Sequence, residues 1–376
     1  MSRWVRILLL ILATLVLILL IIFGLLPRLA QRVGVSVPGG SPGPVTLDLP
    51  PGFEANIYAQ GLDRPRFMAV SPEGVLFVAD MAGRITALPQ GSRPVTVAED
   101  LDRPSSLVFH DGWLYVGETS RISRYRLDSD LEIIESQVIV PDLPESGSHV
   151  TRTVLVGRDG RLYVSIGSSC NVCIEEDERR AAVMVYEIDG SGGRVFARGL
   201  RNAVGLATHP ETGEIWATNN GRDWLGDDNP PETVYIVRDG LDYGWPRCHN
   251  GRIEDPDYGQ DGSCVGAESP VVEFQAHSAP LGLAFYTGSQ FPEGYRGDLF
   301  VAFHGSWNRS RPTGYKVVHI PLENGEPTGE VLDFATGWLQ DADTAPGRPV
   351  GLTVAPDGSL FVSDDKAGII YRISYP

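Results

Sequence analysis

The sequence contains 376 residues, with 31 basic and 48 acidic side chains and a formal net charge of −17. A strongly negative molecule repels nucleic acid and anionic membrane surfaces, so we exclude both as partners of the main body of the chain. A neutral substrate is not repelled, whereas an anionic ligand would need a local pocket of basic side chains.

The N-terminal segment predicts a membrane anchor. Residues 7–26 form a run of 20 residues without a charge. At ~1.5 Å per residue, a helix of that length crosses the hydrocarbon core of a bilayer. A cleavable signal peptide is the alternative, but it has a shorter apolar stretch and ends at small residues. We therefore predict one transmembrane helix within residues 1–33; arginines flank both of its ends and do not decide its orientation.

Residues 34–51 are rich in Pro, Gly and Ser and predict a linker. Residues 52–376 predict a single all-β domain. In this region short β-branched and aromatic runs alternate with Asp-Gly and Pro-Gly turns, and helical periodicity is nearly absent.

An internal repeat explains the pattern of the main domain. Each repeat contains a polar head, an apolar strand, a glycine turn and a second strand with an aromatic centre. In the first repeat the head is Arg64 with Pro65, and the second strand is Leu76-Phe77-Val78. The six repeats span residues 64–78, 103–116, 149–164, 201–217, 282–301 and 348–362.

Each repeat leaves room for two further strands before the next one begins. Six units of four strands each predict a six-bladed β-propeller with four-stranded antiparallel blades. We expect residues 54–58 to pair into the last blade and close the ring. A parallel β-helix is the competing fold, but its repeats are shorter and more even.

The four cysteines predict two disulfides. Three pairings are possible, and the most local one joins Cys170 to Cys173 and Cys248 to Cys264. An even number of cysteines beyond an anchor suits an oxidising compartment such as the periplasm. A zinc site is the alternative, but no histidine lies at ligand spacing beside Cys170. Ile174 stands where a covalent haem motif would place histidine.

The polar heads predict a cluster of basic side chains at one end of the propeller channel, because the first strand of each blade lines that channel. Five of the six heads are basic or ionisable, namely Arg64, Arg103, His149, Arg201 and Arg348. Taken singly, Arg64 and Arg103 are better explained as turn residues before a proline. Taken together, crowded like charges require an anion to compensate them.

His149 lies where other blades place arginine. Nearby guanidinium groups would lower the pKa of its imidazole and keep it neutral, which is the form that a general base requires. A lone histidine is more often structural, but this position favours a catalytic role.

Three loops between second and third strands are enlarged, and long loops on one face of a scaffold usually carry function. They cover residues 167–173, 219–232 and 304–310. The middle loop contains four acidic residues, Asp223, Asp227, Asp228 and Glu232. Their oxygens predict a calcium site, with solvated turn residues as the alternative.

Five motifs resemble the soluble quinoprotein sugar dehydrogenases, and most closely their sorbosone-dehydrogenase-like branch. The resemblance extends from about Leu49 to Tyr375. The motifs are Gly199-Leu200-Arg201-Asn202, Asn220-Gly221-Arg222-Asp223, Asp242-Tyr243-Gly244-Trp245-Pro246, His304-Gly305-Ser306-Trp307-Asn308-Arg309 and Gly347-Arg348-Pro349-Val350-Gly351.

The resemblance implies that pyrroloquinoline quinone (PQQ) lies across the channel mouth with a calcium ion (Ca2+) at its edge. It implies that His149 takes the proton of a sugar hydroxyl, with Arg348 as a second catalytic residue, while hydride moves to the quinone. The other implied roles are cofactor binding by Arg201, Asn202, Asn308, Arg309 and Arg348, and calcium binding by the backbone of Gly221 and Arg222. The chain departs from the family by having Asn308 and Arg309 near an expected lysine, and by lacking an upstream glutamine.

The sequence thus favours an oxidoreductase that takes a small sugar as substrate and passes its electrons to a separate acceptor, a quinone or a cytochrome. The anchor would hold it in a bacterial inner membrane, with the propeller in the periplasm. Two alternatives share the fold. A calcium-dependent lactonase-type hydrolase needs inward carboxylates and amides rather than arginines, and a non-catalytic propeller gives no reason for the basic heads to recur.

Overall fold

The computed structural model describes residues 35–376. The predicted membrane anchor lies outside these residues, and no helix within them is both long and apolar enough to cross a membrane. The described chain forms six antiparallel four-stranded sheets, together with two short hairpins and one turn of 3-10 helix. The prediction of a six-bladed all-β propeller is confirmed.

The strands follow one another along the chain, beginning with β1 (Glu54–Gln60). Blade one contains β2 (Pro65–Val70), β3 (Leu76–Asp80), β4 (Arg84–Leu88) and β5 (Val95–Ala98). Blade two contains β6 (Ser106–His110), β7 (Trp113–Gly117), β8 (Ile122–Leu127) and β9 (Ile133–Val140). Blade three contains β10 (Arg152–Val156), β11 (Leu162–Ile166), β12 (Ala182–Tyr186) and β13 (Arg194–Arg198).

The next two blades each carry a small hairpin before their outer strand. Blade four contains β14 (Ala203–Thr208), β15 (Ile215–Asn219), β16 (Glu232–Val237), the hairpin β17 (Cys248–His249) and β18 (Ile253–Glu254), and β19 (Val272–Phe274). Blade five contains β20 (Pro280–Phe285), the 3-10 turn Glu293–Tyr295, β21 (Leu299–Phe303), β22 (Lys316–Ile320), the hairpin β23 (Leu322–Glu323) and β24 (Glu326–Pro327), and β25 (Leu332–Ala335). Blade six contains β26 (Pro349–Val354), β27 (Leu360–Asp364) and β28 (Ile369–Ser374).

The first strand of the chain closes the ring, as the sequence predicts. β1 pairs antiparallel with β28, so that blade six has the order β1-β28-β27-β26. The two ends of the domain are therefore held in one sheet, which ties the last blade to the start of the chain.

The six inner strands β2, β6, β10, β14, β20 and β26 contact one another in a closed ring around the channel. Hydroxyl groups join neighbouring blades there: Ser106 donates to the carbonyl of Arg152, and Ser363 donates to the carbonyl of Arg66. Glycine permits the close approach, because a Cβ atom at Gly282 would collide with the carbonyl oxygen of Val350. The inner strands begin at one end of the channel, which we call the mouth, and the loops between second and third strands return to it.

The hydrophobic cores lie between the blades. The predicted aromatic residue of each second strand is buried and packs with side chains of the following blade. The six are Phe77, Tyr115, Tyr163, Trp216, Phe300 and Phe361. Burying each such ring stabilises the fold by about 1.5–3 kcal/mol, so each blade depends on its neighbours.

Residues 35–51, which we call the strap, lie along the propeller surface although the sequence predicts a linker. The Ser36 N–H donates to the carbonyl of Arg309 at 2.7 Å, close to the mouth. Further along, the strap bonds the carbonyls of Asp343 and Thr336. It then reaches β1, whose first residue, Glu54, pairs with Ser374 at the end of the channel opposite the mouth.

Candidate active site at the mouth of the channel

A cavity of about 330 Å³ opens at the mouth of the channel. Six of the eight predicted site residues line it: His149, Arg201, Asn202, Gly221, Asn308 and Arg348. They come from starts of inner strands and from loops between second and third strands, which are the two sets of positions that the sequence analysis selected. A second cavity of about 460 Å³ lies beside residues 242–247 and has no histidine in its wall.

His149 is fixed by a backbone carbonyl. Its Nδ1 lies 2.8 Å from the carbonyl oxygen of Ser168, and a carbonyl can only accept, so Nδ1 carries the hydrogen in the neutral ring. Nε2 is then the basic nitrogen. Burial, and then the charge of Arg201, lower the pKa of His149 to about 3, so the imidazole is neutral at physiological pH.

Arg201 is held by the small disulfide loop. The bond between Cys170 and Cys173 is present, as predicted, and the loop residue Asn171 lies between the two cysteines. The Arg201 guanidinium donates to the backbone and side-chain oxygens of Asn171, both at 2.9 Å, and pairs with Asp223 at 2.9 Å. This loop therefore positions Arg201, a candidate for cofactor binding. The second predicted disulfide, Cys248–Cys264, is also present.

Arg348 is aimed by backbone contacts. Its N–H donates to a carboxylate oxygen of Asp364, the last residue of β27, at 2.8 Å. Its guanidinium donates to the carbonyls of His304 at 2.8 Å and Gly305 at 2.5 Å. It forms no ion pair in the described part of the chain, so its positive charge is available to a ligand.

The cavity wall also contains a polar network that sequence reasoning missed. His304 Nε2 lies 2.9 Å from one oxygen of Asp365, and the other oxygen of Asp365 pairs with Arg66 at 2.8 Å. Burial, and then Arg348, lower the pKa of His304 to about 4. The signal that could have found His304 is its place at the start of an enlarged loop. Arg66 had no such signal, because only the preceding Arg64 matches the head pattern.

Two predicted heads point elsewhere. The Arg64 guanidinium donates to the carbonyl of Met81, and Arg103 pairs with the adjacent Asp102. Neither residue lines the cavity. Arg64 and Arg103 therefore act as turn residues before a proline, which is the simpler of the two interpretations given above.

The side chains of two predicted site residues also point away from the cavity. Arg309 donates to the carbonyl of Ala276 and pairs with Asp228, so it fastens its loop. The Arg222 guanidinium pairs with Asp255 and Asp257. The structure thus brings neither guanidinium to the site, whereas the predicted metal role of Arg222 concerns its backbone carbonyl.

The four acidic residues of the middle loop do not form a cluster. Asp223 pairs with Arg201, and Asp228 pairs with Arg309. Asp227 accepts the N–H of Ser310, and Glu232 accepts the N–H of Gly221. Within residues 35–376, the one close group of three potential metal ligands is Cys170, Cys173 and Glu175, and both of its sulfur atoms are in a disulfide. The acidic side chains thus hold loops together.

The charges around the cavity fit an anionic guest. Behind His149, the guanidinium groups of Arg152 and Arg180 are buried and donate to backbone carbonyls such as those of Thr151 and Gly167. In the described chain neither has a carboxylate partner, and the same holds for Arg348. Cations without a carboxylate partner are costly to hold near the protein interior. A ligand with several carboxylates, bound against Arg348 in the wall and in the field of the two arginines behind it, would therefore be stabilised.

Comparison with known proteins places the chain in a family. The TrAA12-like family model matches residues 47–254 and 249–376. An uncharacterized protein of Borreliella burgdorferi is 29% identical over 348 residues, covering 88% of this chain and 91% of that protein. A pyrroloquinoline quinone-dependent sugar dehydrogenase of Hypocrea jecorina is 25% identical, covering 88% of this chain and 89% of the relative.

A pyrroloquinoline quinone-dependent pyranose dehydrogenase of Coprinopsis cinerea is 26% identical over 91% of this chain, which spans 57% of that longer protein. The holo form of its PQQ domain superposes with a TM-score of 0.77 at 24% identity, covering 90% of this chain and 100% of the domain, and so shares the fold. The chain belongs to the TrAA12-like family, within the soluble PQQ-dependent sugar dehydrogenases that the sequence predicts.

Proposed function

We propose that this protein oxidises a sugar hydroxyl or aldehyde with PQQ as cofactor and passes the electrons to a separate acceptor. The observation that carries the proposal is the neutral imidazole of His149 in the wall of a cavity that Arg201 and Arg348 also line, where Arg348 has no carboxylate partner in the described chain. This arrangement suits proton removal beside a multiply charged anion.

Each described side chain has a distinct part in the reaction. His149 Nε2 accepts the proton of the substrate hydroxyl, and the Ser168 carbonyl holds the ring in the tautomer that leaves Nε2 free. Arg201 and Arg348 bind the carboxylates of the cofactor, together with the amides of Asn202 and Asn308. When bound, PQQ supplies the acceptor for the hydride.

Backbone oxygens supply candidate ligands for calcium. In the described chain no N–H or side chain donates to the carbonyl oxygen of Gly221 or of Arg222. The buried side-chain oxygen of Asn308 likewise has no partner. Hard oxygen donors of this kind suit Ca2+, and the neighbouring carboxyl of Glu232 would compensate its charge. The fit supports calcium at this edge of the cavity.

The decisive experiment uses the full chain in mild detergent. The protein is loaded with PQQ and Ca2+, and sugar-dependent dye reduction is followed. His149→Gln is the test variant. His110→Ala is the control, because His110 lies at the end of β6 that is farthest from the mouth. We expect His149→Gln to retain cofactor absorbance after gel filtration and to lose turnover by about 10²–10⁴-fold. Undiminished turnover would remove His149 from the mechanism, and lactone hydrolysis by cofactor-free protein would favour a hydrolase instead.

We further propose that residues 1–33 anchor the protein in a bacterial inner membrane, with the propeller in the periplasm. The uncharged run of residues 7–26 and the two disulfides support this location. A C-terminal alkaline phosphatase fusion should be active in the membrane fraction, and deletion of residues 1–33 should abolish that activity. The proposal would be contradicted if the alkaline phosphatase fusion were inactive while a C-terminal fusion to a protein that fluoresces only in the cytoplasm were fluorescent.

A further inference from the structure

Two exposed indole rings meet at the rim of the cavity. Trp224 and Trp307 are 52% and 43% exposed, although the large aromatic side chains of the propeller are mostly buried. Their ring centroids are 5.2 Å apart and their planes are at 85°. Exposed aromatic surface beside a concave site is typical of a ligand contact.

The two rings are held in place by their loops. Asn308, next to Trp307, donates to a carboxylate oxygen of Asp223, next to Trp224, at 2.7 Å. Two further contacts, from Ser310 and Arg309 to the acidic residues of the other loop, join the same segments. Trp224 has a φ of 73°, a conformation that bulky residues rarely adopt. The loops therefore fix both indoles outward against a conformational cost.

The two indole rings lie at different depths with respect to the cavity. Trp307 is part of the cavity wall, whereas Trp224 is not, although its neighbour Asp223 is. Trp307 is thus the inner ring and Trp224 the outer one. A ligand that reaches His149 and extends beyond the mouth would pass Trp307 first and Trp224 second.

We propose that Trp307 and Trp224 form a carbohydrate platform with two subsites, which makes an oligosaccharide the preferred substrate. This rests on the proposed sugar oxidation. A pyranose ring presents C–H groups on its faces and hydroxyls at its rim, so it stacks on an indole while its rim reaches polar groups. Trp307 contacts the sugar unit that is oxidised, and Trp224 contacts the next unit.

The test compares glucose with its disaccharides maltose and cellobiose on the full chain. Binding to cofactor-free protein is measured by calorimetry, and KM is measured on protein loaded with PQQ and Ca2+. The variants are Trp224→Ala, Trp224→Phe and Trp307→Ala. Val265→Ala is the control, because Val265 is 87% exposed and lies in the wall of the other cavity.

We expect Trp224→Ala to weaken disaccharide binding about tenfold more than glucose binding, Trp224→Phe to restore most of the difference, and Trp307→Ala to weaken both ligands. The control should match the wild type. Equal losses for glucose and disaccharide in Trp224→Ala would overturn the second subsite. If the wild type bound no sugar, either free of cofactor or loaded with PQQ and Ca2+, the whole platform would be overturned. Sugar binding without dye reduction would instead reject the dehydrogenase proposal and leave the platform standing.

Discussion

At the scale of single residues, the surroundings of a side chain decide its chemical state. His149 is neutral because desolvation and the neighbouring guanidinium groups disfavour its charged form, and its tautomer follows from the Ser168 carbonyl. The groups around His149 therefore keep its imidazole in the form that can accept a proton.

The depressed pKa of His149 can be measured. In the cofactor-free protein we expect its ring proton signals to stay constant from pH 8 down to pH 5, because the folded pKa is about 3. Since the unfolded chain takes up a proton near pH 6.5, this group makes unfolding easier as the pH falls from about 6.5 towards 3. Nuclear magnetic resonance titration of the His149 ring protons checks this. A midpoint of 6 or above for His149 would contradict the argument.

Arg348 and Arg64 provide a matched pair, because both precede the proline that begins an inner strand. Only Arg348 lines the cavity. We expect Arg348→Ala to weaken PQQ binding by about tenfold or more, since it removes a charged donor to a carboxylate, and Arg64→Ala to leave it unchanged. Equilibrium dialysis of the cofactor gives both values, and equal effects would show that the cavity does not hold PQQ through Arg348.

This pair also marks the limit of what sequence can predict. The repeat, the closing strand, both disulfides and the gathering of His149, Arg201 and Arg348 all follow from patterns in the chain. The direction of a side chain does not follow from them. The pairing shift after Pro65 in blade one recurs after Pro349 in blade six, and yet Arg348 lines the cavity whereas Arg64 does not. In blade one it is Arg66 that reaches the cavity.

At the scale of elements, a polar side chain at or just beyond the end of the second strand holds the head of its own blade. Asp80 accepts the N–H groups of Asp63 and Arg64 at 3.0 Å, and Asp364 does the same for Arg348 at 2.8 Å. Glu118 and Asn219 serve blades two and four. The device recurs because each head is a turn whose N–H groups face no strand, and a side-chain acceptor satisfies them.

Replacement of one such acceptor should destabilise the fold measurably. Asp80 is buried and also accepts the N–H of Ala82, so Asp80→Ala leaves several donors without a partner. We expect a loss of about 2–4 kcal/mol in the free energy of unfolding, against almost none for the exposed Asp130→Ala. Urea unfolding followed by circular dichroism gives the difference. A loss below about 1 kcal/mol would mean that water satisfies the freed groups.

At the scale of the whole molecule, the cores between blades make stability depend on ring closure. Phe361 of blade six packs with Met68 and Leu76 of blade one, so this seam joins the two ends of the chain. β1 completes blade six by pairing with β28, and its residues Tyr58 and Ala59 pack against this seam.

Removal of β1 should therefore weaken every blade rather than one. We expect a chain that begins at Gly61 to unfold at a markedly lower temperature and in a broader transition than a chain that begins at Val35. Differential scanning calorimetry of the two forms measures this. Identical transitions would show that blade six is stable with three strands.

The strap leaves the two ends of the described chain on opposite sides of the propeller. Val35 lies by the rim, next to the residue that bonds the Arg309 carbonyl, whereas Pro376 follows β28 at the other side. An electrode linker attached ahead of Val35 would turn the entrance towards the conducting surface, and one attached after Pro376 would turn it towards bulk solution. The choice of terminus thus determines whether the channel mouth faces the electrode when this protein is immobilised in a biosensor.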